Sequence, residues 1–161
     1  MKQLTRRPGL SVIFLAGILA TISAAAPKAQ DAEPDFKAMF AKVDAAWESL
    51  KAENAAPFYA HDAGLVFYDA APLKYDGWAA YREGAQKLFL DGATSLKFNV
   101  NDDLKVMRRG KIAWTTRTMH LTANMKEGKP LEFDGRHTVI WENRGGKWLV
   151  VHEHFSAPLP Q

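Results

Sequence analysis

The chain has 161 residues, a length typical of one domain with a single hydrophobic core. Its composition, 47% hydrophobic and 24% charged, excludes a disordered chain, a collagen and a coiled coil. The chain contains no cysteine, which excludes disulfide bonds, thiolate nucleophiles and cysteine-ligated metal sites.

The first 25 residues have the pattern of a secretory signal peptide. Lys2, Arg6 and Arg7 precede an apolar run over residues 10–20, and small residues follow the run. The run is shorter than the roughly 20 apolar residues of a membrane span, although an uncleaved anchor is the alternative. We therefore expect a periplasmic or secreted protein without membrane attachment after cleavage. The expected organisation is signal peptide 1–25, linker 26–34, domain 35–158 and tail 159–161.

The net charge of +3 lies in the signal peptide. Removal of its three basic residues leaves 18 basic residues against 18 acidic ones. Nucleic-acid binding requires a concentrated positive field, and the basic cluster of Arg108, Arg109 and Lys111 has the pattern of a turn. We therefore expect no nucleic-acid partner.

The apolar residues predict helices first and strands second. Helical spacing from Phe36 to Leu50, with Asp35 placed to cap the start, predicts a helix of about four turns. A shorter helical segment is expected over 54–62, a brief strand over 65–68, and a second helix from Trp78 to a stop at Gly92. The period then changes to two, which predicts strands over 96–100, 104–106, 111–123, 131–143 and 147–156. This order indicates an α+β fold, with helices on one face of a curved antiparallel sheet.

The last hairpin decides which side chains share a face of the sheet. We predict a three-residue turn over 144–146 with a bulge at Gly146, which pairs His137 with Glu153. A two- or four-residue loop would turn one strand over and separate that pair. The predicted inner face is His137, Val139, Trp141, Leu149, Val151, Glu153 and Phe155. The predicted outer face is Arg136, Thr138, Ile140, Trp148, Val150, His152 and His154.

Three C-terminal segments, residues 136–141, 145–148 and 151–158, carry a family signature. They resemble the SnoaL-like group of the nuclear transport factor 2-like superfamily, which includes ketosteroid isomerases and polyketide cyclases. They are more closely similar to the association domain of calcium/calmodulin-dependent protein kinase II, through a Gly-Lys-Trp turn and a His-x-His-x-Ser ending that a proline follows. The resemblance implies a cone-shaped antiparallel sheet, with N-terminal helices on its concave face around a deep pocket. It also implies homo-oligomers that form through the outer face of the sheet.

The candidate catalytic residues are His137, Glu153 and Asp69. A carboxylate that orients an imidazole builds a general base, although such a pair can also be only a hydrogen-bonded polar contact. Asp69 follows a predicted strand, so we expect it at the pocket rim, where it acts as a base if desolvated or else caps a turn.

The candidate ligand-binding residues are Arg117 and several aromatic residues. The resemblance implies pocket arginines at the positions of Arg117, Val139 and Phe155, and only the first is arginine here. A buried guanidinium needs a partner, either a carboxylate such as Glu153 or Asp69, or an anionic ligand. The aromatic candidates, with core packing as the alternative, are Tyr59, Tyr68, Tyr81, Trp78 and Trp141.

No cofactor or metal is predicted. His152 and His154 share a strand face, but the predicted register puts Arg136 beside them, and a cation there opposes metal binding. The first functional hypothesis is an exported, self-associating domain that holds an apolar or acidic small molecule in a deep pocket. The alternative is an acid–base enzyme of the isomerase, dehydratase or cyclase type.

Overall fold

The computed structural model describes residues 33–159. The predicted signal peptide over 1–25 and most of the linker over 26–34 lie outside the described residues. Within that described part, no helix combines the length and the apolar character needed to cross a membrane.

Two α-helices form where the sequence predicts them. Helix α1 spans Phe36–Glu48, and the Asp35 carboxylate caps it by accepting a hydrogen bond from the Ala38 N–H at 2.9 Å. Helix α2 spans Gly77–Leu88 and is followed by a short 3₁₀ turn, Leu90–Gly92. The helical segment expected over 54–62 is instead a 3₁₀ helix, Ala52–Phe58, which contains Pro57.

The strands form one mixed, curved sheet. They are β1 Val66–Tyr68, β2 Tyr75–Asp76, β3 Ala93–Val100, β4 Lys105–Arg109, β5 Ile112–Met125, β6 Leu131–Arg144 and β7 Lys147–Ser156. The order in the sheet is β2-β1-β7-β6-β5-β3, and β4 also pairs with β5. All pairs are antiparallel except β1 with β7, which is parallel. The predicted α+β architecture is therefore confirmed, with one parallel pair that the sequence did not predict.

The predicted three-residue turn of the last hairpin is wrong. Arg144 pairs with Lys147, so the loop has two residues, Gly145 and Gly146, at φ values of 64° and 93°. Both values are left-handed, as a type I′ turn requires. The Asn143 side chain accepts a hydrogen bond from the Gly146 N–H at 2.8 Å and closes the turn.

A β-bulge at Val151 then restores the predicted face for the second half of β7. Trp141 pairs with Val150 but Ile140 pairs with His152, so Val151 is the extra residue. Beyond the bulge, Glu153 and Phe155 point inward with the odd-numbered residues of β6, as predicted. Before it the prediction fails: Val150 is buried, and Trp148 packs its ring 5.2 Å from Phe36 on the inner side.

The core lies between the helices and the concave face of the sheet. Phe36 and Phe40 of α1 pack against Trp141 at ring distances of 5.7 and 5.1 Å. A second aromatic group joins α1, the 3₁₀ helix and α2 behind strand β7. Its members are Trp47, Tyr59, Phe67, Trp78 and Tyr81.

Candidate functional site

A cavity of about 270 Å³ opens between the helices and the sheet. Most of its wall is apolar and comes from α2, β3, the second half of β5 and the first half of β6. Leu88 and Leu131 in this wall are also exposed at the surface, at 66% and 40%. The polar lining residues are Asp44, Asp69, Tyr81, Arg117, His137 and Glu153. The cavity therefore combines an apolar wall with one group of buried polar side chains.

Glu153 lies at the centre of the polar group. It is buried, and both carboxylate oxygens accept hydrogen bonds from phenols: Oε1 from Tyr81 at 2.6 Å and Oε2 from Tyr59 at 2.5 Å. The Tyr59 hydroxyl in turn accepts a hydrogen bond from the Trp47 indole N–H at 3.0 Å. The position of the carboxylate is thus fixed from α1, α2 and the 3₁₀ helix.

These contacts control the ionisation of the group. Burial alone would raise the pKa of the Glu153 carboxyl, but the neighbouring His137 and the two phenol hydrogen bonds outweigh burial and bring that pKa below its ordinary value. Burial, together with the negative charge of Glu153, raises the pKa of Tyr59 and of Tyr81 well above the usual phenol value. At neutral pH the cluster is therefore one carboxylate held by two protonated phenols.

His137 contacts the cluster through both ring nitrogens. Nδ1 accepts a hydrogen bond from the Arg117 Nε–H at 3.2 Å. Nε2 lies 3.5 Å from Glu153 Oε2 and makes no hydrogen bond. Among residues 33–159 it is the only buried side-chain nitrogen or oxygen without a hydrogen-bond partner. In the sheet, His137 pairs with Phe155 and Glu153 pairs with Val139, so the two site residues are diagonal neighbours rather than the direct pair predicted.

Arg117 has a different carboxylate partner from the two expected. Its two terminal nitrogens donate to Asp44 at 2.7 and 2.6 Å, and its guanidinium carbon lies 3.8 Å from the centroid of the Phe40 ring. Phe40 and Asp44 are four residues apart on α1, so one face of that helix holds the guanidinium on two sides. The expected carboxylate partner is therefore present, but it is Asp44 rather than Glu153 or Asp69, and it takes one N–H of each terminal nitrogen.

Asp69 lies half-buried at the rim of the cavity, directly after β1. Burial raises the pKa of its carboxyl to about 6, and the negative charge of Glu153 adds to this rise. A hydrogen bond from the Ala70 N–H, at 2.7 Å, opposes it. Asp69 thus lines the cavity with a carboxyl pKa of about 6.

The sequence of this chain matches a known domain family. A sequence profile of the SnoaL-like domain matches residues 32–160. The chain belongs to the SnoaL-like domain family. This confirms the predicted SnoaL-like resemblance. In a search of curated proteins, none matched the sequence.

Several solved structures share the fold of this SnoaL-like domain. One is a nuclear transport factor 2-like protein from Salmonella enterica serovar Typhimurium, with a TM-score of 0.71 at 15% identity over 78% of this chain and 90% of that one. A second, from Xanthomonas campestris, is a proposed calcium/calmodulin-dependent protein kinase II association domain, with a TM-score of 0.66 at 25% identity over 78% and 86%. A third, from Streptomyces avermitilis, is a proposed dehydratase, with a TM-score of 0.67 at 15% identity over 78% and 95%.

The aromatic candidates divide into three groups in the SnoaL-like domain: one lines the cavity, two pack in the core and one is exposed. Tyr81 lines the cavity. Trp78 stacks on Tyr59 behind Glu153, and Trp141 donates its indole N–H to Thr115 within the core, so neither is among the residues that line the cavity. Tyr68 lies outside the cavity, 38% exposed, with its ring edge-on to the two histidines of β7.

Asp44 is the site residue that the sequence analysis missed. It follows Phe40 by four residues and precedes Trp47 by three, so it lies beside the buried stripe of α1. A carboxylate beside such a stripe needs a cationic partner once the helix packs, but the local pattern does not show which cation provides it. In residues 33–159 no group of three or more carboxylate or imidazole side chains is arranged to hold a metal ion.

Proposed function

We propose that this SnoaL-like domain binds an apolar small molecule whose polar group contacts the buried His137 and Glu153 and the half-buried Asp69. The observation that carries the proposal is the unpartnered Nε2 of His137 in the wall of an otherwise apolar cavity. A buried polar atom without a partner costs about 1–3 kcal/mol. A ligand atom that satisfies it recovers this cost and is oriented by it.

A thermal-shift screen against apolar ketones, steroids and carboxylates tests the proposal. A ligand at 100 times its dissociation constant stabilises the protein by about 2.7 kcal/mol. Ala85→Phe fills the apolar wall and should abolish the shift, whereas Tyr68→Phe, outside the cavity, should leave it unchanged. A shift that persists in Ala85→Phe would place the ligand elsewhere and contradict the proposal.

A second candidate function is acid–base chemistry on a carbonyl compound. The observation that supports it is the raised pKa of Asp69. A base works best when its pKa lies near the operating pH, and the pKa of Asp69 is about 6. Mass analysis of each stabilising compound before and after incubation separates binding from turnover. If turnover occurs, its rate should fall as the pH drops below about 6, and Asp69→Asn should lower it about 100-fold or more.

We further propose that the domain works in the periplasm or outside the cell. The support is the pattern of the first 25 residues, in which a basic start precedes a short apolar run and small residues. Mass spectrometry of the protein from a cell-envelope fraction tests this. Loss of about 25 N-terminal residues is expected, and a full-length cytoplasmic product would contradict it.

A further inference from the structure

The hydrogen bonds around His137 fix where its ring proton lies. Arginine is a donor only and stays protonated in proteins. Because the Arg117 Nε–H donates to Nδ1, that ring nitrogen presents a lone pair and carries no proton. The proton of the neutral ring therefore sits on Nε2, the nitrogen without a partner.

The position of Arg117 is itself determined by helix α1. Asp44 binds both terminal nitrogens of the guanidinium, which leaves Nε directed along the sheet toward the ring of its direct strand neighbour His137. Phe40 covers the face of the guanidinium at 3.8 Å. Such a fork-to-fork contact fixes the orientation of an arginine as well as its charge.

The charges around the ring restrict what Nε2 can bind. Asp44 and Arg117 compensate each other, whereas Glu153 retains a negative charge 3.5 Å from Nε2. The negative charge of Glu153 would therefore repel an anionic ligand. A ligand group that can only donate hydrogen bonds would face the Nε2–H, which is also a donor, and could not bind it. A neutral oxygen acceptor avoids both penalties.

We propose that Arg117, held by Phe40 and Asp44, is a positioning residue that keeps the His137 proton on Nε2, so that the cavity donates a hydrogen bond to the carbonyl oxygen of a neutral ligand. This inference rests on the proposed ligand-binding function, which it deepens. It assigns His137 the role of donor, where the sequence analysis expected a general base.

Nitrogen NMR of the histidine rings in the protein without ligand tests the tautomer directly. In wild type at mildly alkaline pH, His137 should show a pyridine-like Nδ1 and a pyrrole-like Nε2, with His137→Phe used to assign the resonances. In the double variant Asp44→Asn/Arg117→Met, the ring should become a mixture of tautomers. The control Glu48→Gln/Lys97→Met removes another ion pair between α1 and the sheet, and should leave the His137 spectrum unchanged.

Two results of this experiment would overturn the proposal. One is a wild-type ring with a proton on Nδ1, alone or together with Nε2. The other is a double variant that folds and keeps the wild-type tautomer, because Arg117 would then not be what holds it. If the double variant does not fold, the wild-type spectrum still decides where the proton lies.

Binding of three probes that share a naphthalene ring tests the ligand class. 2-Acetylnaphthalene should bind about fivefold more tightly than 2-ethylnaphthalene, because only the ketone accepts a hydrogen bond. 2-Naphthoate should bind more weakly than the ketone. In His137→Phe the preference for the ketone should disappear. Equal affinities of the ketone and the hydrocarbon for wild type, or tighter binding of the carboxylate, would overturn the selectivity. Binding of none of the three contradicts the proposed function for this skeleton, and the ring spectrum then decides the tautomer alone.

Discussion

At the residue scale, Glu153 shows how a buried charge is kept ionised inside an apolar core. Removing a carboxylate from water costs several kcal/mol unless hydrogen bonds replace the lost solvent. Tyr59 and Tyr81 provide two such bonds from different elements, and both phenols stay protonated because burial and the carboxylate raise their pKa values. The charge is therefore tied to the packing of the helices on the sheet.

The variant Tyr81→Phe should destabilise the fold by about 2 kcal/mol, because it removes a hydrogen bond to a charged group without changing the packing of the ring. Urea denaturation gives the free energy of unfolding. The matched control is Tyr75→Phe, whose hydroxyl donates at 3.0 Å to the neutral carbonyl of Ala71. Its loss should be about 1 kcal/mol or less. Equal losses in the two variants would show that Glu153 does not carry a charge.

Asp69 makes the stability depend on pH with a specific sign. Its ordinary pKa is 3.8 and its pKa in the folded protein is about 6, so between these values the folded state binds more protons than the unfolded state. The free energy of unfolding contributed by this group therefore falls as the pH rises through that interval. The side chain in Asp69→Asn cannot ionise. As the pH rises from 4 to 7, the free energy of unfolding of this variant should therefore increase by about 1–2 kcal/mol relative to that of wild type.

An exposed control, Asp103, should change the free energy of unfolding with pH in the opposite direction. Hydrogen bonds from the backbone and side chain of Thr118 lower the pKa of its carboxyl, so its contribution is present above the unfolded value and is lost as the pH falls. Melting temperatures of both Asn variants across the pH range check the pair. If the melting temperatures of the two variants, relative to wild type, changed with pH in the same direction, the raised pKa of Asp69 would be contradicted.

At the element scale, local periodicity predicted both α-helices and the run of strands, because the spacing of apolar residues reports directly on which side is buried. The parallel pairing of β1 with β7 could not be predicted in this way. These strands are far apart in sequence, and their contact depends on how the whole chain closes.

The inner face of the last hairpin was predicted correctly only in part, and for a physical reason. Two glycines in succession permit a two-residue type I′ turn as well as a three-residue bulged one, so the sequence alone leaves the register open. The bulge at Val151 has no glycine or proline to indicate it. It compensates for the shorter turn, and this is why His137 and Glu153 still meet. The partner of Arg117 was not predictable for a similar reason, since it depends on how α1 docks.

The turn itself gives a prediction for this hairpin. Gly146 is left-handed at a φ of 93°, where a β-branched side chain is strained, so Gly146→Val should cost about 1–2 kcal/mol or more. Gly145→Asn should be tolerated within about 0.5 kcal/mol, because Asn-Gly is a favoured type I′ pair. The midpoints of urea denaturation for the two variants measure both losses of stability. Equal tolerance would show that the turn has a different backbone conformation in solution.

At the scale of the whole molecule, the outer face of the sheet carries an apolar row. Met107, Trp114 and Ile140 are direct cross-strand neighbours on β4, β5 and β6, and His152 continues the row on β7. Met107 is 48% exposed, and Trp114 and Ile140 are half-buried. Exposed apolar rows of this kind mark interaction surfaces. Together with the family resemblance, the row favours a second copy of the chain as the partner.

Sedimentation of the protein tests this expected self-association. Wild type should sediment as a dimer or a larger ring, and Ile140→Arg should sediment as a monomer, because a charge at the centre of a symmetric apolar contact is buried twice. Leu73→Arg, at a loop position that is 90% exposed and outside the sheet, serves as the control and should leave the assembly intact. Circular dichroism verifies that both variants fold. A monomeric wild type, or an Ile140→Arg variant that still assembles, would rule out this face as the interface.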